Sequence, residues 1–357
     1  MTIYPKLITD ALATVRYPGN GKSLTENGMI EDIRIDGDSI ALTIVFDKRN
    51  DPFAASTVRS AEATLRRELG PEASIAVSPR FKEEAPSMPE KLLPNAKYKI
   101  AVSSGKGGVG KSTVAANLAV SLASQGFKVG LLDADIFGPS MPKMFGVEDE
   151  GLYMVNQEGR DWIEPIEKYG VKMLSIGFVV DKTKAVIWRG TMATNALRQL
   201  IADAWWGELD FFIIDLPPGT SDIHLTTIQH LDLSGAVIVT TPQEVALADA
   251  RKGIEMFRND KINVPVLGVV ENMAWFTPMN HPEEKYYIFG NGGGVKLAEE
   301  LGVPLLARIP LVAEICEKAD AGSPVSLALA ASPGGEVTPN PVAEAFRDLS
   351  VSLLSVI

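Results

Sequence analysis

Cysteine is almost missing from this chain. Of 357 residues one is cysteine, Cys316, which excludes an internal disulfide and any metal cage built from several thiolates of a single chain, and which suits a reducing compartment. No apolar run reaches the roughly 18 residues that a membrane-spanning helix needs, and Met1 to Asp10 lacks the positive start and apolar core of a secretion signal. A cytoplasmic protein with no membrane partner is the expectation. Basic residues are outnumbered, 34 Lys and Arg against 45 Asp and Glu, for a net charge of -11. That balance argues against coating nucleic acid through bulk electrostatics, so no nucleic-acid partner is expected. What remains is an ordinary globular composition, 46% apolar and 22% charged, in a chain longer than one typical domain.

Residues 1–80 read as a small α+β unit. Leu7, Ile8, Ala11, Leu12 and Val15 fall on one face of an opening helix. A hairpin follows, with Ile33 and Ile35 before a turn at Asp36-Gly37-Asp38 and Ile40, Leu42, Ile44 and Phe46 after it. A second helix carries Val58, Ala61, Leu65 and Leu69 and stops at Gly70-Pro71, and a short strand near Ile75 to Val77 completes the unit. Residues 81–97 read as a linker, in a stretch from Pro79 to Ala96 that is rich in charge and carries Pro79, Pro86, Pro89 and Pro94. Over 98–357, short apolar runs alternate with helical stretches: Ile100 to Ser103, Val129 to Leu132, Val171 to Ile176, Phe211 to Ile214, Ala236 to Thr240 and Val266 to Val270. The pattern predicts an α/β domain with a doubly wound, mostly parallel sheet covered on both faces.

Between the first of these strands and the helical stretch Val114 to Leu122 lies Gly105-Lys106-Gly107-Gly108-Val109-Gly110-Lys111-Ser112, which satisfies G-x-x-x-x-G-K-[ST] in the right context. Glycines let backbone N–H groups curl around an anion, and the helix N-terminus adds partial positive charge. Lys111 neutralises the terminal phosphates and the Ser112 hydroxyl reaches magnesium. ATP and Mg2+ are therefore the expected ligands, with Gly105 to Thr113 as the binding segment. Lys106 is a second lysine that a simple phosphate cradle does not require. Near the β,γ-bridge it would offset charge that develops as the bond breaks; a solvated surface lysine is the competing reading.

Two strands end in acids. Val129 to Leu132 closes on Asp133-Ala134-Asp135, at the strand edge where open α/β sheets bind ligands. If the strand continues, both carboxylates share a side, one holding magnesium's water shell and the other, Asp135, orienting the attacking water; a helix cap is the alternative role. Phe211 to Ile214 closes on Asp215, as a Walker B aspartate does. Leu216-Pro217-Pro218-Gly219-Thr220-Ser221-Asp222 then suits a loop that rearranges with the γ-phosphate. Asn272 offers an amide for the adenine edge, or is a plain turn asparagine.

The early lysine resembles the deviant phosphate loop of the MinD, ParA and nitrogenase iron-protein group, which implies an ATP-dependent homodimer in which Lys106 reaches the partner's nucleotide. Together with Leu132-Asp133-Ala134-Asp135-Ile136-Phe137-Gly138-Pro139-Ser140, Trp188-Arg189-Gly190, the Asp215 loop and Glu271-Asn272-Met273, the motifs closely resemble the Mrp/ApbC family of iron-sulfur cluster carriers that hydrolyse ATP. The first unit looks like the MIP18-type domain often fused to them. The resemblance implies a [4Fe-4S] cargo and apoprotein recipients. It also implies a Cys-x-x-Cys pair after Glu-Asn-Met, and here Pro278 and His281 stand where those cysteines would fall. Proline cannot ligate iron; histidine can, although a loop histidine without that role is the plainer reading. Cys316, in Ala313 to Ala319, is expected as a buried packing residue of an amphipathic helix. A MinD- or ParA-type positioning switch is the alternative function, yet Pro341 to Ile357 carries one arginine, Arg347, and no lysine, unlike a basic membrane-binding end. A biosynthetic enzyme that activates a small substrate with ATP would need neither the second lysine nor the first unit. Trp205-Trp206 reads as a packing corner, His224 and His230 as ordinary polar residues of a helix, and Gly292 to Gly294 as either a further anion loop or a turn before a helix.

Overall fold

In the computed structural model of the chain, the described residues are 4–46, 51, 53–70, 72–81, 92–93, 95–157, 159–179, 190–219, 231–260, 262–278, 280–281, 283–329 and 340–357. They form two compact units, Met1–Pro89 and Glu90–Ile357.

The first unit runs α1 (Pro5–Leu12), β1 (Ile30–Asp36), β2 (Ser39–Phe46), α2 (Ala54–Leu69) and β3 (Ser74–Phe81). β1 and β2 form the hairpin, with Asp36 opposite Ser39. β3 returns parallel to β2 after α2, which Gly70 ends at a φ of 92° that favours glycine. Ile8, Leu12, Ile40, Ile44, Phe46, Ala61, Leu65 and Ile75 make the core between the helices and one sheet face. β3 continues through Pro79 to Phe81, beyond the strand that the pattern suggests, because it is an edge strand, where a missing N–H is tolerated.

The second unit runs β4 (Ala96–Ser103), α3 (Lys111–Ser124), β5 (Val129–Asp133), α4 (Met141–Met144), β6 (Tyr153–Gln157), β7 (Arg160–Glu164), β8 (Ile166–Lys168), β9 (Val171–Ser175), α5 (Gly190–Ala202), β10 (Leu209–Asp215), β11 (Gly235–Thr240), α6 (Glu244–Arg258), β12 (Val266–Glu271), α7 (Gly293–Leu301), β13 (Leu305–Arg308), α8 (Ala313–Asp320) and α9 (Pro341–Leu354). Its main sheet has the order β13-β12-β11-β4-β10-β5-β9-β8. All neighbours are parallel except β8, which lies antiparallel on β9.

The near-continuous apolar strands are explained by two cores. Phe212 and Ile214 of β10 point with Leu132 and Ile238 into a layer closed by Leu200 of α5 and Ile254 and Phe257 of α6. Phe211 and Ile213 point the other way, with Leu131 and Val237, against Leu118 and Leu122 of α3 and Phe346 and Leu349 of α9. The doubly wound sheet expected from the sequence is the one present. After β4 the chain crosses to β5, returns as β10 between them, and then passes to β11 on the other side of β4. That reversal opens a crevice at the carboxyl ends of β4 and β10.

The Trp205-Trp206 pair is a packing corner. Trp206 is buried and stands edge-on to Phe212 at 4.8 Å, while Trp205 packs on Trp162 of β7 at 5.7 Å. Phe212→Ala, which empties a fully buried site, should lower the stability of the second unit by about 3–5 kcal/mol in denaturant unfolding.

Candidate nucleotide site

The loop from Ser104 to Gly110 leaves β4 in the crevice and runs straight into α3. Two of its glycines are indispensable for different reasons. A Cβ on Gly105 would stand 2.1 Å from the Asp249 backbone carbon of α6, so the loop sits directly on that helix. Gly110 is left-handed at φ 81°, and its Cβ would meet Asn272 Nδ2 at 2.2 Å. α3 starts with no side-chain cap, which leaves the N–H groups of its first turn facing the cleft, as anion binding requires. Ser104 Oγ donates to Lys106 O at 2.9 Å and Gly219 N donates to Ser104 O at 2.9 Å, tying the loop after Asp215 to the phosphate loop.

Lys111 is buried, and its Nζ is 2.5 Å from Asp215 Oδ1, 3.3 Å from Ser112 Oγ and 3.9 Å from Asp135 Oδ2. The structure thus brings together Lys111, Ser112, Asp135 and Asp215, all marked in the sequence. They line or adjoin a cleft of about 220 Å³ that also includes Lys106, Gly107, Gly108, Thr113 and Pro218. Burial pushes the Asp215 carboxyl up, opposed by the Lys111 ammonium and by hydrogen bonds from Lys111 and Ser112. Its Oδ2 is buried and has no hydrogen-bond partner among the described residues. An orphaned carboxylate oxygen beside a serine hydroxyl fits a hard divalent cation.

Asp133, the register partner of Asp215, is not among the residues that line the cleft. β5 ends at Asp133, so the alternation that would align it with Asp135 stops there. Fully buried, Asp133 accepts from Asp135 N at 3.2 Å, Met141 N at 3.1 Å and Ser175 Oγ at 2.8 Å. Burial, with the Asp215 charge behind it, pushes this carboxyl up to about 7. Its role is to hold the loop that carries Asp135.

Asn272 Nδ2 donates to Val109 O at 2.8 Å, so its amide nitrogen is committed to the phosphate loop. Glu271, given no role in the sequence beyond its place in the Glu-Asn-Met motif, is fully buried beside it and accepts from Gly294 N at 2.6 Å and Arg308 Nε at 2.7 Å. The glycine turn at Gly292 to Gly294 therefore starts α7 and does bind an anion, the chain's own Glu271. A carboxylate that closes an apolar strand was the available signal, the same one that marks Asp215.

His281 is exposed and lies 3.3 Å from Glu283; with Glu284, their ligand atoms fall within 4.8 Å of one another, a set able to hold a metal. Cys316 is exposed, contrary to the buried position expected, because α8 buries none of its side chains. Trp188, Arg189, Thr220, Ser221, Asp222, His224 and His230 lie outside the described residues. No helix among the described residues is long and apolar enough to cross a membrane.

Asp133 generates a pH dependence. Its folded value of about 7 lies above the ordinary 3.8, so its contribution to stability is full below the lower value and is lost as pH rises through the higher. Thermal unfolding between those limits should show the parent losing stability with rising pH more steeply than Asp133→Asn.

Residues 95–345 match the family described as the NUBPL iron-transfer P-loop NTPase, of the ParA group, and residues 6–78 match the iron-sulfur cluster assembly protein family. An iron-sulfur cluster carrier protein of Synechocystis is 44% identical over 329 residues, 89% of this chain and 91% of that protein. One from Pseudomonas fragi is 49% identical over 263 residues, covering 73% and 86%. Among solved structures, a nucleotide-binding protein of Archaeoglobus fulgidus in complex with ADP is similar at 40% identity and a TM-score of 0.56, over 64% of this chain and 88% of that one. With its phosphate loop, its two edge carboxylates and a family match across most of its length, the chain belongs to the NUBPL-type iron-transfer P-loop NTPases.

Proposed function

We propose that the chain is an ATP-binding and ATP-hydrolysing carrier in iron-sulfur cluster assembly that works as a homodimer and delivers to apoproteins. The observation that carries the nucleotide half is Lys111, buried against Asp215 and Asp135 at the mouth of an open helix N-terminus. The relatives named iron-sulfur cluster carriers support the cargo half.

In this reading the backbone N–H groups of Gly107 to Thr113 wrap the phosphates, and Lys111 exchanges Asp215 for the terminal phosphate oxygens. Ser112 Oγ and the freed Asp215 carboxylate would hold magnesium, which supplies charge neutralisation for the phosphates when bound. Asp135 orients the attacking water and accepts its proton. Lys106, which no described carboxylate pairs with, is placed in the cleft wall and reaches the nucleotide of the second subunit. Asn272 props the loop through Val109 and leaves its amide oxygen for the base.

The cluster is cargo, and this chain's own thiols do not fit a four-cysteine set. Pro278 offers no donor, and a dimer brings two copies of Cys316 against the four thiolates of an ordinary [4Fe-4S] cluster. The remaining ligands would come from the proteins that hand over or receive the cluster.

Two measurements test these halves. Lys111→Ala should abolish ATP binding, while Asp135→Asn should bind ATP and lose about 10²-fold or more in turnover; full hydrolysis by either variant refutes the assigned role. Anaerobic reconstitution of the purified chain should fail to load a [4Fe-4S] cluster, and an iron and sulfide count equal to a full cluster per dimer would show that the chain ligates its own cargo.

A further inference from the structure

Ser140 stands at the N-cap position of α4, where serine ordinarily turns its hydroxyl onto a backbone N–H of the first turn. Its side chain makes no such bond. Of the first turn's N–H groups, Pro142 has none and that of Met141 is taken by Asp133 Oδ2 at 3.1 Å, and the Ser140 hydroxyl is not used as a cap. That hydroxyl is shut off from solvent and has no hydrogen-bond partner among the described residues, yet Ser140 lines the same cleft as Lys111, Ser112 and Asp135.

A buried hydroxyl without a partner costs free energy that an arriving acceptor recovers. The cleft's other serines are engaged, since Ser104 donates to Lys106 O and Ser112 Oγ lies 3.3 Å from Lys111 Nζ. Asp135 and Ser140 are held at the two ends of one loop by a single carboxylate, because Asp133 accepts from Asp135 N and from Met141 N. The two groups are chemically complementary. A carboxylate accepts a proton from water but repels a phosphate oxygen, whereas a hydroxyl donates to one.

We propose that Ser140 Oγ donates a hydrogen bond to the terminal phosphoryl group of ATP and is a catalytic residue of hydrolysis, paired with Asp135 across the loop that Asp133 pins. The assignment rests on the ATP hydrolysis proposed above and adds a residue to it. Asp133 acts through that loop as a positioning residue.

The test compares parent, Ser140→Ala and Ser140→Thr in single-turnover hydrolysis at saturating Mg-ATP, with ADP affinity by calorimetry and unfolding of the nucleotide-free proteins as controls. Ser140→Ala should slow hydrolysis by about tenfold or more, the loss of one hydrogen bond to a charged group. It should keep ADP affinity, since ADP lacks the terminal group, and it should unfold no earlier than the parent, since the hydroxyl has no protein partner to lose. Ser140→Thr should restore most of the rate. A parental rate in Ser140→Ala, a parallel loss of ADP affinity, or a rate in Ser140→Thr as low as in Ser140→Ala overturns the proposal. A parent that binds ATP without hydrolysing it refutes the hydrolytic function itself, and Ser140's role with it.

Discussion

A buried ammonium between two carboxylates, Lys111 against Asp215 and Asp135, is the contact on which the rest of this site depends. Burying charge is expensive, and a buried ion pair is rarely a net source of stability. Here it keeps a lysine dehydrated and aimed at the place where a triphosphate would lie, with the last oxygen of Asp215 left unpartnered. A competing anion need not create a binding geometry; it has only to take over the lysine, and doing so frees a carboxylate for a cation.

The fold exists around that contact. Strand β10 delivers Asp215 between β4, which leads into the phosphate loop, and β5, which leads to Asp135. Two cores on opposite sheet faces fix those strands. The loop itself is clamped from three directions: by the α6 backbone against Gly105, by Asn272 under Val109, and by Gly219 on Ser104. Asp133 clamps the opposite wall. Each of the three clamps on the phosphate loop is a backbone contact or a hydrogen bond to backbone.

Legibility in the sequence followed how local the governing physics is. The phosphate loop was readable because its spacing is a local requirement of wrapping backbone around an anion. The parallel strands were readable because burial on both faces leaves an unbroken apolar run. β8 and β13, of three and four residues, are too short for any periodicity, and the β6-β7 ribbon carries exposed residues on both strands. Asp133 pairs in register with Asp215, but β5 stops at that residue, so period two says nothing of Asp135. Cys316 sits on a helix whose apolar residues remain at least partly exposed, something composition alone does not reveal. The Glu271 to Arg308 pair spans 37 positions, and around Ser140 the N–H of Met141 is taken by a carboxylate eight positions before that methionine, while Pro142 offers no N–H to cap.

The family assigns a cargo for which this chain has few ligands of its own, so the nucleotide cleft is where the account stands or falls. Isothermal titration of the purified parent chain with ATP and with ADP in the presence of magnesium is the most direct measurement. A saturable heat for both nucleotides is predicted. No heat and no measurable affinity for either would contradict the reading of Lys111, Asp215 and the loop between them as a triphosphate site.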